Sequence, residues 1–268
     1  MNAGASPRSS SSSRSRVAGI LRSECCKLRS VRSTYWTLFA AVASNVGLAV
    51  LLAIFLPRQL SAHEKATIDA VRVSLGGLHL SQIAFGVLGV LVITSEYDTG
   101  MIRATLGAVP RRRLLLAVKI IVFAVTALVV GIAAGFAAYF VFQAFLTGDS
   151  LRTSLGDPNV LRAVIGSGLY LVVLGLFGLG LGAIARSSAG AIAVLFAVLF
   201  VPSLIMALLP HSWQTTIGPY LPMDAGGAIF TVHQDSGSLG AWSGFAVFCL
   251  YATVPLVAAF VLINRRDA

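Results

Sequence analysis

Charge is what this chain has least of. Only 11% of its 268 residues are Asp, Glu, Lys or Arg, where an ordinary soluble domain carries about 25%. Hydrophobic residues make up 57%, and the mean hydropathy is +0.86. That excludes a water-soluble globular domain. Cysteine is also scarce. Cys25, Cys26 and Cys249 are the whole set, and their spacing fits neither a zinc site nor a disulfide framework. No G-x-x-x-x-G-K-[ST] run is present, so the chain does not bind ATP by a P-loop. His63, His79, His211 and His233 are scattered, and no Ser-His-Asp or metal-ligand constellation forms around them. Within the apolar runs no charge sits at mid-depth. Ion- and proton-coupled carriers need such groups inside the bilayer, so a secondary carrier is disfavoured.

What is present is a set of long apolar runs with basic ends. A bilayer core about 30 Å thick takes roughly 20 apolar helical residues. Six stretches qualify, at about 36–56, 78–95, 114–146, 160–185, 189–209 and 241–263. The third is too long for one upright crossing, and Gly131–Gly135 offers a place to bend or to pack closely. The fourth holds Gly166, Gly168, Gly175, Gly178, Gly180 and Gly182, read either as packing within one subunit or as a sliding or dimer contact. The predicted fold class is therefore all-α: a polytopic membrane protein with six transmembrane helices over residues 36–268.

The net charge is +10. In a soluble protein that would suggest nucleic acid, but no basic module survives once the apolar runs are removed. With a cytoplasmic N-terminus, fifteen of the twenty basic residues fall on inside segments and five on outside loops. This is the positive-inside pattern. It predicts both termini cytoplasmic in a cell membrane whose anionic lipids are partners. Lys119 is counted here among the inside charges.

Residues 1–16 are Ser/Arg-rich and read as a disordered tail. Residues 17–35 place Val17, Ile20, Leu21, Cys25, Leu28 and Val31 on one stripe and read as an amphipathic interfacial helix. Glu24 falls inside that stripe, either paired with Lys27 or Arg29 or in contact with a partner or with the charged loop after the second span.

One connection spends more charge than topology requires. "SEYDTGMIRATLGAVPRRRLLLAVK" covers residues 95–119. Arginines 111–113 suit a headgroup anchor, but Glu96 and Asp98 at a membrane edge cost free energy unless paired or solvated. Arg103 lies seven residues past Glu96 and five past Asp98, so a pair between them needs a bend at Gly100. Met101, Ile102, Leu106 and Val109 beside Arg103 make a short amphipathic element that Pro110 ends.

This stretch resembles the loop of permease subunits of the type-2 ABC exporter class. Their E-Y-x-x-G-x-x-R-x-x-L pattern, followed by P-x-R and a lysine opening the next span, falls on Glu96, Tyr97, Gly100, Arg103, Leu106, Pro110, Arg112 and Lys119. "ECCKLRSVRSTYW" at 24–36, with Glu24 and Lys27, resembles that family's interfacial helix before the first span. "YLPMDAGGAIF" at 220–230 resembles its last outer loop (210–240), where Pro222 and Gly226 belong to short helical elements and Asp224 departs from the small or amide residue of relatives.

The resemblance implies a chain that is not itself an ATPase and needs no cofactor of its own. ATP and Mg²⁺ belong to a cytoplasmic ABC ATPase partner, expected in two copies, working with a second permease copy as a homodimer. The cytoplasmic coupling loop 96–113, including Asp98, would receive the partner's closure as a coupling helix. Function is then outward transport of a hydrophobic or amphipathic compound: a drug (multidrug export), natural product or lipid. Tyr139, Gln143 and Tyr170 are polar handles for a substrate route. The alternatives are a membrane scaffold or sensor subunit without ATPase coupling, and a secondary carrier.

Overall fold

The computed structural model describes residues 32–98, 100, 112–146, 151–234 and 237–265. The expected tail 1–16, most of the expected interfacial segment 17–35 with Glu24 and Lys27, and most of the connection after Asp98 lie outside them. Among the described residues the chain is helical, with no strand.

Six helices are long and apolar enough to cross a membrane. They are α1 (Arg32–Gln59), α4 (Leu78–Asp98), α5 (Arg112–Phe145), α6 (Val160–Ala185), α7 (Ser188–Ala207) and α10 (Ala241–Arg265). Every expected span is present; α1, α4 and α10 extend past their apolar run, α6 coincides with it, and α5 and α7 start earlier but stop one and two residues short of its end. The 34 residues of α5 measure about 51 Å at 1.5 Å per residue, so α5 outreaches a core about 30 Å thick. It has no break at Gly131–Gly135, which serve close packing. A Cβ on Gly131 would lie 3.1 Å from the Gly168 Cα, and one on Gly135 would meet Ser167 and Val164.

α6 is the axis of the bundle, and its glycines explain why. Gly178 backs onto the Gly86 carbonyl of α4, and Gly175 meets both Phe123 of α5 and the Phe85 carbonyl. Gly168 abuts Ile132, Gly180 abuts Pro255 and Leu256 of α10, and Gly182 abuts Ile93 and Thr94. All of these contacts are within one subunit. Without Cβ atoms the helices close to backbone contact, the usual device where lipid removes a hydrophobic drive between helices. α4 and α6 are accordingly the most enclosed spans, whereas α1, α7 and α10 turn most of their surface outward. Leu204, Leu208, Trp242 and Val254 are exposed there, as a lipid-facing surface requires.

At one end, called the far end here, short elements cap the bundle. α2 (Ala62–Thr67) opens with a capping box between Ser61 and Glu64, and α3 (Ala70–Ser74) is capped by Asp69. Ser61 holds the Glu64 carboxylate below the usual carboxylate pKa. Residues 210–240 fold into α8 (His211–Ile217), α9 (Pro222–Gly227) and single 3-10 turns at Gly218–Tyr220 and Ala228–Phe230. Two polar ties hold this cap down. Asp69 Oδ2 accepts the backbone N–H groups of Val232 (2.7 Å) and His233 (3.1 Å). The Arg162 guanidinium, in the first turn of α6, donates to the carbonyls of Ile229 (2.8 Å) and Thr231 (2.9 Å).

Candidate functional site

The near end is where α4 stops, α5 starts and α6 passes to α7. Three consecutive residues closing α4 each reach a different neighbour. Glu96 Oε1 accepts from Lys119 Nζ of α5 at 2.7 Å, with side chains 5% and 3% exposed. Tyr97 lies under the Arg186 guanidinium, 5.4 Å from the ring centroid; Arg186 joins α6 to α7. Asp98 Oδ2 accepts from Ser188 Oγ at 2.6 Å, in the first turn of α7. Ser188 also stands 2.7 Å from Thr94 Oγ1. At 3.6 residues per turn, successive side chains leave a helix about 100° apart. Three in a row therefore sweep about 200°, enough to reach three neighbours at one level.

Local chemistry sets each partner in place. Ser187 caps α7, its hydroxyl accepting from the Gly190 N–H, and so presents Ser188 toward α4. Arg186 ends α6 in a left-handed conformation (φ 53°), with its N–H bonded to the Gly182 carbonyl. That turn brings its guanidinium back over Tyr97. Gly100 is also left-handed (φ 68°) and its N–H returns to the Tyr97 carbonyl at 3.1 Å. Glycine adopts this region without steric cost, so Gly100 turns the chain just past the end of α4.

The position of Lys119 alone put it among the inside charges. In the fold it is buried about two turns inside α5 and bonded to Glu96. Its charge belongs to an ion pair between two spans, so it should not count toward the inside excess. Arg103, the partner expected for Glu96 on its own segment, lies with Leu106 and Pro110 outside the described residues. Arg112 opens α5.

The sequence of residues 20–209 matches the family model described as "ABC-2 family transporter protein". The chain belongs to that family. The match takes in the first five spans and the whole near-end cluster. No curated protein matches the chain. As an ABC-2 permease it is a multi-pass membrane subunit, not itself an ATPase, in a family that works with an ABC ATPase subunit.

The three expected route residues of this permease do not share a site. Tyr139 is buried, and its hydroxyl donates to the Thr153 carbonyl at 2.8 Å. Gln143 Nε2 donates to Thr153 Oγ1 at 2.7 Å. Both fasten the turn before α6 onto α5. Tyr170 stands apart from them on α6, between Phe230 and Phe248, with its hydroxyl on Gln82 Oε1. Arg186 and Ser188 were not singled out from sequence. The available signal was positional: three consecutive polar residues, Arg186, Ser187 and Ser188, where two apolar spans meet. Among the described residues, no group of three His, Cys, Asp or Glu is placed to hold a metal ion.

Proposed function

We propose that this chain is the permease subunit of an ATP-driven exporter and that residues 96–113 are its coupling segment. The near end faces the cytoplasm, as the distribution of basic residues indicates. A cytoplasmic ATPase subunit, one per permease copy in a symmetric assembly of two, presses on the segment when it binds ATP and Mg²⁺. Two permease copies form the membrane part, and a hydrophobic or amphipathic compound moves outward. The low charge of the spans suits such a cargo, which asks for no counter-charge within the bilayer.

The observation that carries this reading is the buried Glu96–Lys119 pair. It joins the two spans that flank the connection, at the point where force on the connection would enter the membrane. With Tyr97–Arg186 and Asp98–Ser188, displacement of the end of α4 is transmitted to α5, α6 and α7 together. A loop serving only as a headgroup anchor would not need these ties.

The test is transport and substrate-stimulated ATPase activity of the permease reconstituted with its ATPase. Glu96→Gln should lower both at least tenfold, and the exchange Glu96→Lys with Lys119→Glu should restore a large part. Glu96→Gln, Gly100→Val and Arg103→Ala all retaining parental transport and ATPase stimulation would refute the coupling role.

A further inference from the structure

The far end holds a cavity of about 190 Å³ between the start of α4, α6 and the cap. Its inner wall includes Gln82, Tyr170 and Phe230, and its rim includes Arg72, His79 and Asp224. Gln82 is 2% exposed. Its Oε1 is held by the Tyr170 hydroxyl, while its Nε2 has no hydrogen-bond partner. A buried donor left unpaired is costly, so an acceptor atom in the cavity would be favoured. The rim carries one charge of each sign, and Arg72 and Asp224 make no ion pair among the described residues. Asp224 keeps an exposed edge, yet burial by the cap pushes its carboxyl pKa up, with Arg72 offsetting this only in part. A cation beside that carboxylate would be stabilised.

Size and setting narrow the occupant. Pockets for drug-sized ligands run about 300–1,000 Å³, so this cavity takes a head group rather than a whole compound. A second hollow of about 460 Å³ shares Asp224, Ser238 and Leu239 with it and continues past Leu221 to Ser203 and Met206 of α7. That helix carries the exposed Leu204, and the exposed Leu208 caps its end. A chain attached to the head group therefore has a way from the cavity toward the membrane.

We infer that the far-end cavity binds the zwitterionic head of an amphiphile: a primary ammonium at Asp224, a phosphate or carboxylate within reach of Arg72 and Gln82 Nε2, and an apolar tail along the hollow beside α7. Such binding requires no ATPase at the near end.

Native mass spectrometry of the purified full chain in detergent tests it, titrating with phosphatidylethanolamine, phosphatidylglycerol and water-soluble phosphoethanolamine. Phosphatidylethanolamine should bind at least tenfold more tightly than either of the others. Asp224→Asn on the rim should weaken it about tenfold, the worth of one charge-assisted hydrogen bond. Gln82→Leu should weaken it by a similar factor, together with a lower melting temperature, because the buried Tyr170 hydroxyl then loses its acceptor. Equal binding of the two lipids, or full affinity in Asp224→Asn, would overturn the site. Phosphoethanolamine binding as tightly as the lipid would overturn the amphiphile and leave a water-borne ligand.

Discussion

Glu96 and Lys119 show how much one buried pair decides. Either charge alone inside a helix bundle is costly, and removing one partner of a buried ion pair typically costs about 3–5 kcal/mol. Replacing both by apolar side chains of similar size is often close to neutral. Lys119→Met should therefore lower the melting temperature of the detergent-solubilised chain markedly, and adding Glu96→Leu should bring most of it back. An unchanged melting temperature in Lys119→Met would mean that the pair does not join α4 to α5. The sequence showed both residues and the cost of an acid at that depth. It did not show the pairing, because 23 residues and a turn of chain separate them and only the α4–α5 packing sets the distance. Asp98–Ser188, 90 positions apart, was hidden for the same reason.

At the scale of elements, helix identity was the most legible feature. Runs of about 20 apolar residues leave few options in a bilayer, and each expected span is a helix. Their ends were less legible: hydropathy marks the lipid-facing stretch, while hydrogen bonding continues the helix past it. The glycines of α6 were visible, but their neighbours were not. Their placement predicts a contrast between two substitutions. A side chain at Gly89 would run into the Gly175 backbone, whereas one at Gly47 on α1 meets nothing within 4 Å. Overpacking commonly costs about 1–3 kcal/mol, and the cost is higher when the obstacle is backbone. Gly89→Leu should collapse the yield of monodisperse protein in size-exclusion chromatography, and Gly47→Leu should leave it intact. Equal yields would contradict the α4–α6 contact.

For the whole molecule, the two ends differ in build. The near end gathers Glu96, Tyr97, Asp98, Lys119, Arg186 and Ser188 around the ends of four spans, and the far end is closed by a cap tied down through Asp69 and Arg162. A push at the near end acts on a bundle whose central helix touches α4, α5 and α10 through glycines, so the spans respond together. The most direct measurement is site-specific photocrosslinking from position 103 in membranes containing the permease and its ATPase. A covalent product with the ATPase subunit, formed at the cytoplasmic face and changed in yield by ATP, is the expected result. Crosslinks to lipid alone, or a position 103 reachable only by reagents added outside the cell, would contradict a connection gripped by the ATPase.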